Sequence, residues 1–136
     1  MHVFIIVPQN RPGTLASALE GIAQRGVNVI TAGGAASGDS AAIAIQTNDD
    51  EGTRAALQAS DVPFREVEAV AAWLDDRPGT LADAARRLGN AGVNIEALFP
   101  IGMESGKVGI LFAVDNASAA GAALGELTGS AKAAAG

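Results

Sequence analysis

Two identical hexapeptides, Arg11-Pro12-Gly13-Thr14-Leu15-Ala16 and Arg77-Pro78-Gly79-Thr80-Leu81-Ala82, hold most of the residues in this chain that could do chemistry. They stand 77 − 11 = 66 residues apart. Proline suits the first turn of a helix, where its missing N–H costs nothing, so each hexapeptide is expected to open a helix. The N–H groups of such an opening, backed by the helix dipole, suit an anionic group such as a carboxylate. Gly13 and Gly79 have no Cβ and let a ligand approach the backbone closely. Asn10, Asn28, Asp76 and Asn94 offer oxygens to a cationic group, and Asp76 adds a full charge that makes the second loop the better ammonium site. Arg11 and Arg77 can fork a carboxylate.

Each of these residues also has a plainer reading. Gly13 and Gly79 either receive a ligand or only shape a turn. Asn28 and Asn94 either face a ligand or only bridge a helix end to a strand through local backbone bonds. Arg11 and Arg77 are either carboxylate forks or solvated loop arginines. Trp73, the single Trp, reads as core in preference to a ligand platform. For catalysis the sequence supplies no triad and no metal set. Asp75 and Asp76 are the nearest carboxylate pair, and adjacent residues of an extended segment point to opposite sides. A non-enzyme is therefore expected.

The elements that must position these loops follow from the patterning. Val3–Val7 is a short β-branched run closed by Pro8, which reads as a buried strand. Leu15, Ala18, Leu19, Ile22 and Ala23 recur at helical spacing and form one apolar face, and Gly26 suits the left-handed residue that ends a helix. Val27–Ala32 is expected as a second strand and Ala41–Thr47 as a third. The Gly33–Ser40 run between them reads as a loose hairpin turn, since it lacks the Lys-Ser/Thr of a phosphate loop. Asn48 or Asp49 can cap a second helix, and Phe64–Glu68 is a fourth strand. The first unit is thus βαββαβ.

The second unit repeats this order. A helix from Pro78 carries Leu81, Ala84, Ala85 and Leu88 and stops at Gly92. Strands Val93–Ile101 and Val108–Val114 follow, and Asn116 or Ser118 can cap a last helix, Ala119–Leu127. Between Arg11 and Val29, ten of nineteen positions match their partners 66 residues on, including Gly26-Val27-Asn28 against Gly92-Val93-Asn94. Such a repeat marks a duplicated unit. The expected boundaries are 1–68 and 69–136, with the last strand of unit one passing almost directly into the first strand of unit two. After Leu127 no fourth strand is written, and a frayed tail is expected.

Composition narrows the function classes. Lys+Arg 9 against Asp+Glu 15 gives a net charge of −6, which argues against nucleic acid and anionic membrane. With no cysteine, disulfides, thiol catalysis and Cys-based metal sites are excluded. His2 is the single histidine, so no imidazole-built metal centre and no cofactor are expected. No run reaches transmembrane length, and Val3–Val7 is too short for a signal-peptide core, so the cytoplasm is the expected location.

βαββαβ units with short connections give an α+β, ferredoxin-like fold, an antiparallel sheet with both helices on one face. With N-R-P-G-T-L followed by G-V-N-V, and D-R-P-G-T-L followed by G-V-N-I, the chain resembles the ACT domain family over nearly its whole length, as two tandem copies. The resemblance implies a small-molecule sensing module, most often for amino acids. Such modules are appended to enzymes such as phosphoglycerate dehydrogenase and aspartokinase, or stand alone as tandem proteins. A chain of this length has no room for a catalytic domain, so a stand-alone regulatory pair is expected. The family's ligands lie where two ACT domains meet, held by the loop after the first strand and the start of the second. Carried onto this sequence, the set is Asn10, Arg11, Pro12, Gly13, Thr14, Leu15 and Asn28 in the first unit. In the second it is Asp76, Arg77, Pro78, Gly79, Thr80, Leu81 and Asn94. The expected ligand is a small amino acid or related metabolite, and the expected assembly a homodimer, with a partner enzyme in view. The competing reading is a ligand-free interaction or oligomerisation module, since unpaired sheet edges invite pairing.

Overall fold

The structure is a computed structural model and describes residues 1–129. The chain divides into two compact units, one of His2–Glu66 and one from Val67 onward together with Met1.

In the first unit β1 (His2–Ile6) leads to α1 (Thr14–Ala23), then β2 (Val29–Ser37), β3 (Ser40–Thr47) and α2 (Asp50–Ala59). β3 lies between β2 and β1, antiparallel to both, with Phe4 opposite Ile45 and Ser37 opposite Ser40. Alternation along the strands sends Phe4, Ile6 and Ile45 to one face, where they pack with Ile22, Val27, Ala56 and Leu57. Asp49 caps α2 by accepting a hydrogen bond from the Gly52 N–H at 3.0 Å. The two buried hydroxyls, Thr47 and Thr53, bond each other at 2.7 Å, so their burial leaves no polar atom unpaired.

β4 (Phe64–Asp75) begins in the first unit and from Val67 belongs to the second, which continues with α3 (Thr80–Asn90), β5 (Ile95–Glu104), β6 (Lys107–Val114) and α4 (Ala117–Leu124). β6 lies between β4 and β5. Leu74, Leu88, Val93, Phe112, Val114 and Leu124 form its core. Asn116 caps α4 through the Ala119 N–H at 3.0 Å. Gly125, at φ 54°, ends α4 before Leu127, and a 3-10 turn, Gly125–Thr128, follows. Arg87 of α3 holds this end, donating to the Leu124 carbonyl at 3.1 Å and to Glu126 at 2.8 Å.

Three details differ from the expectation. The helices open at Thr14 and Thr80, not at the prolines, because Gly13 and Gly79 are left-handed (φ 88° and 92°) and a right-handed helix cannot run through them. The apolar stripe of α1 narrows to Ala18, Ile22 and the half-buried Leu19, and that of α3 to Ala84 and Leu88, while Leu15 and Leu81 stay exposed. Gly33–Ser37 is strand, not turn: the ladder to β3 runs to Ser37, leaving only Gly38 and Asp39 to reverse the chain. The strands on either side of Glu68, expected to pass almost directly from one into the other, form the single strand β4. Among the described residues no strand follows the 3-10 turn; the expected tail from residue 130 lies outside the described residues.

Candidate functional site

The loop between β1 and α1 is tied by one hydroxyl. Thr14 Oγ1 lies 2.7 Å from the Gln9 carbonyl and 3.0 Å from that of Arg11. In the second unit Thr80 Oγ1 makes the same pair of contacts, to Asp75 at 2.7 Å and Arg77 at 3.2 Å. The hydroxyl thereby folds four residues into a compact bulge, and the left-handed glycine that follows turns the chain into the helix. The Gly13 and Gly79 carbonyls accept the first helical bonds, from Ser17 (3.0 Å) and Asp83 (2.9 Å). Neither helix has a side-chain cap, so amide hydrogens of the first turn stay available to a ligand. A Cβ placed on either glycine would meet nothing within 4 Å, so the glycines are required by φ rather than by space.

Each loop is also pinned to the hairpin of its own unit. Asn10 Nδ2 donates to the Gly38 carbonyl at 2.6 Å, leaving its Oδ1 as an acceptor. In the second unit the Asp76 N–H donates to the Gly106 carbonyl at 3.2 Å, and Lys107 Nζ binds the Asp75 carboxylate. That bond, with Lys107 and Arg77 charges nearby, holds the Asp75 carboxyl below its usual range. Arg77 Nε lies 3.6 Å from Asp75.

Beside each loop is a cleft. The first, of about 490 Å³, is lined by Asn10, Arg11, Gly13, Thr14 and Leu15 of the loop and helix start, by Leu19, by Ala32–Ala36 of β2, and by Ala41, Ile43 and Ile45 of β3. The second, of about 290 Å³, is lined by Leu74–Arg77, Gly79–Ala82, Val108 and Ile110. Register shows how the two outer strands differ. Ala32 and Gly34 sit opposite Ile45 and Ile43, where β5 places Leu98 and Pro100 opposite Phe112 and Ile110. The small residues of β2 floor the first cleft, whereas among the described residues none of β5 lines the second.

Of the residues singled out from sequence, Asn10, Arg11, Gly13, Thr14 and Leu15 meet in the first cleft, and Asp76, Arg77, Gly79, Thr80 and Leu81 in the second. Pro12 lines a neighbouring hollow with Asp61 and Pro63, and Pro78 lines neither cleft. Asn28 and Asn94 line neither cleft. Their backbone N–H groups donate, each at 2.9 Å, to Asn48 Oδ1 and Asp115 Oδ1, which joins helix end to strand end. The β2 floor went unnoticed in the sequence because Ala32-Gly33-Gly34-Ala35-Ala36 is too poor in side chains to announce a strand. The one available signal was its contrast with Leu98-Phe99-Pro100-Ile101 of the repeat.

A second polar cluster joins His2, Asp50 and Glu66, whose ligating atoms lie within 4.8 Å of one another. His2 Nδ1 is 2.5 Å from Glu66 and 3.8 Å from Asp50. Arg54 already forks Glu66 at 2.7 and 2.9 Å, and with His2 it lowers that carboxyl's pKa. The positive charge a metal would bring is thus supplied by a guanidinium.

A family model for the ACT domain pair matches residues 1–125. Among solved structures, the chain is similar to a protein from Bacteroides thetaiotaomicron, with a TM-score of 0.73 at 20% identity over 92% of this chain and 86% of that one. It is similar to the regulatory subunit of aspartate kinase from Thermus flavus (TM-score 0.65, 19% identity, 90% of each chain). The ligand-free regulatory subunit of aspartate kinase from Thermus thermophilus gives a TM-score of 0.62 at 17% identity, over 90% of this chain and 87% of that one. At such identities the likeness is one of fold. No curated protein sequence matches the chain.

Proposed function

The chain belongs to the ACT domain pair family, and from that premise we propose that it is a non-catalytic regulatory protein that senses a small amino acid or related metabolite. The observation that carries this reading is the doubled notch. Twice, a threonine-tied loop and a left-handed glycine leave an uncapped helix start beside a cleft. A carboxylate meets amide hydrogens and an arginine there, and loop oxygens face an ammonium. The ligand-binding set remains the two Arg-Pro-Gly-Thr-Leu loops with Asn10 and Asp76. Asn28 and Asn94 act behind them, holding the helix ends. Binding works by stabilising one assembly of a homodimer, or one complex with a partner enzyme, over another. Similarity to regulatory subunits of aspartate kinase makes an amino-acid kinase the first partner to test. We place the protein in the cytoplasm, in keeping with the lack, among the described residues, of any helix long and apolar enough to cross a membrane.

Thermal unfolding of the full chain against each of the twenty amino acids tests the reading. A ligand of the native state raises the midpoint in proportion to the logarithm of its concentration. A flat response to all twenty removes the sensor. A second reading, a ligand-free oligomerisation module, is favoured by the exposed apolar side chains Ile30 on β2 and Leu98 and Met103 on β5, which stand 57, 45 and 71% exposed. Those two strands are the outermost of β2-β3-β1 and β4-β6-β5. A concentration-dependent dimer with no ligand response is its outcome.

A further inference from the structure

The two notches are not equivalent, and the difference has a chemical sense. The loop of the first is Gln9-Asn10-Arg11 and that of the second Asp75-Asp76-Arg77, so two amides stand where the repeat has two carboxylates. Among the described residues the first cleft is lined by one charged side chain, Arg11, with no acid. Its guanidinium has no side-chain or carbonyl partner among the described residues, whereas Arg77 stands beside Asp75. The remaining walls, Leu15, Leu19, Ile43 and Ile45 over the Ala32–Ala36 floor, are hydrocarbon. In the second cleft Val108 takes the place of Ala41, no described residue of β5 supplies a floor, and Asp75 is held by Lys107.

Taking the sensor reading above as its basis, we infer that the first notch alone is the ligand site, and that it selects a small branched aliphatic carboxylic acid. The carboxylate pairs with Arg11, and the hydrocarbon packs on Leu15, Leu19 and Ile43. No anion faces the ligand's α-position, so a 2-oxo or unsubstituted acid binds about as well as the amino acid of the same skeleton.

Calorimetric titration of the full chain with leucine, 4-methyl-2-oxopentanoate and 4-methylpentanoate tests this, with lysine and aspartate as charged comparators. The expected result is saturable binding of all three aliphatic acids at one site per chain, with affinities within about tenfold, and no binding of the comparators. Ala32→Leu, which copies Leu98 into the first floor, should abolish binding. Arg11→Gln, a change confined to an exposed loop side chain, should weaken it about 10- to 100-fold, the span of one charge-assisted hydrogen bond. Ala82→Leu, which crowds the second cleft, should leave it unchanged. Leucine binding with the oxo acid more than about a hundredfold weaker would overturn the inference while keeping the amino-acid sensor. So would any amino acid whose binding responds to Arg77→Gln and not to Arg11→Gln. Absence of binding by every acid and amino acid overturns both readings together.

Discussion

The Asn94 N–H donates to Asp115 Oδ1 at 2.9 Å, and 66 residues earlier Asn28 makes the same bond to Asn48. Both are main-chain donations, so the repeated asparagines matter here through their backbone, and the acceptors carry the specificity. Asn28→Ala should therefore cost little. Asn48→Ala and Asp115→Ala, which strand a helix-end amide, should each cost about 1 kcal/mol. Urea unfolding midpoints of the variants decide it, and an Asn28→Ala loss larger than that of Asn48→Ala would contradict the assignment.

The left-handed glycines make a second, sharper prediction. Gly13 and Gly79 stand at φ 88° and 92° with open space where a Cβ would go. Alanine at either position should cost about 1–2 kcal/mol from backbone conformation alone. D-alanine introduced by chemical ligation should restore the loss, since its preferred φ is positive. If both enantiomers destabilise equally, crowding is the cause and the open-space geometry is wrong.

Glu66 predicts a pH dependence. The Arg54 fork, then the bond to His2, lowers its pKa from the ordinary 4.5. A depressed carboxyl contributes stability that is complete above the unfolded value and is lost as pH falls through the folded one. The wild type should thus lose stability below about pH 4.5 more steeply than Glu66→Gln. Both partners keep some solvent contact, with side chains 38 and 21% exposed, so the difference should be at most about 1 kcal/mol. Urea midpoints between neutral pH and pH 3 would show it; parallel profiles would count against the pair.

Trp73 offers an optical test of packing. It lies across the strand from Gly109, and a Cβ there would come within 2.8 Å of its indole ring and 2.9 Å of Ile101. Gly109→Ala should shift the emission of this single Trp and cost about 1–3 kcal/mol through overpacking. Unchanged emission would mean that the ring is not seated there.

What the residues determined by themselves was local. Gly26 and Gly92, at φ 74° and 71°, stop the helices because only a residue without Cβ enters that region cheaply. Asp49 and Asn116 cap the helices that follow because a short side-chain oxygen reaches the amide three residues on. The repeat of Arg-Pro-Gly-Thr-Leu marked two copies of one design and both loops of interest. Register and burial lay beyond reach. Ala32–Ala36 is a strand because β3 supplies its hydrogen bonds, not because its own side chains favour extension. Leu15 and Leu81 fit a helical apolar stripe, yet no opposing side chain buries them, so they stay exposed at the cleft mouths. Two loops alike in sequence stand beside clefts of about 490 and 290 Å³, because β2 floors the first and no described residue of β5 lines the second. Backbone preference is written residue by residue; a cavity is a property of side chains that meet from distant parts of the chain, and only the folded sheet brings them together.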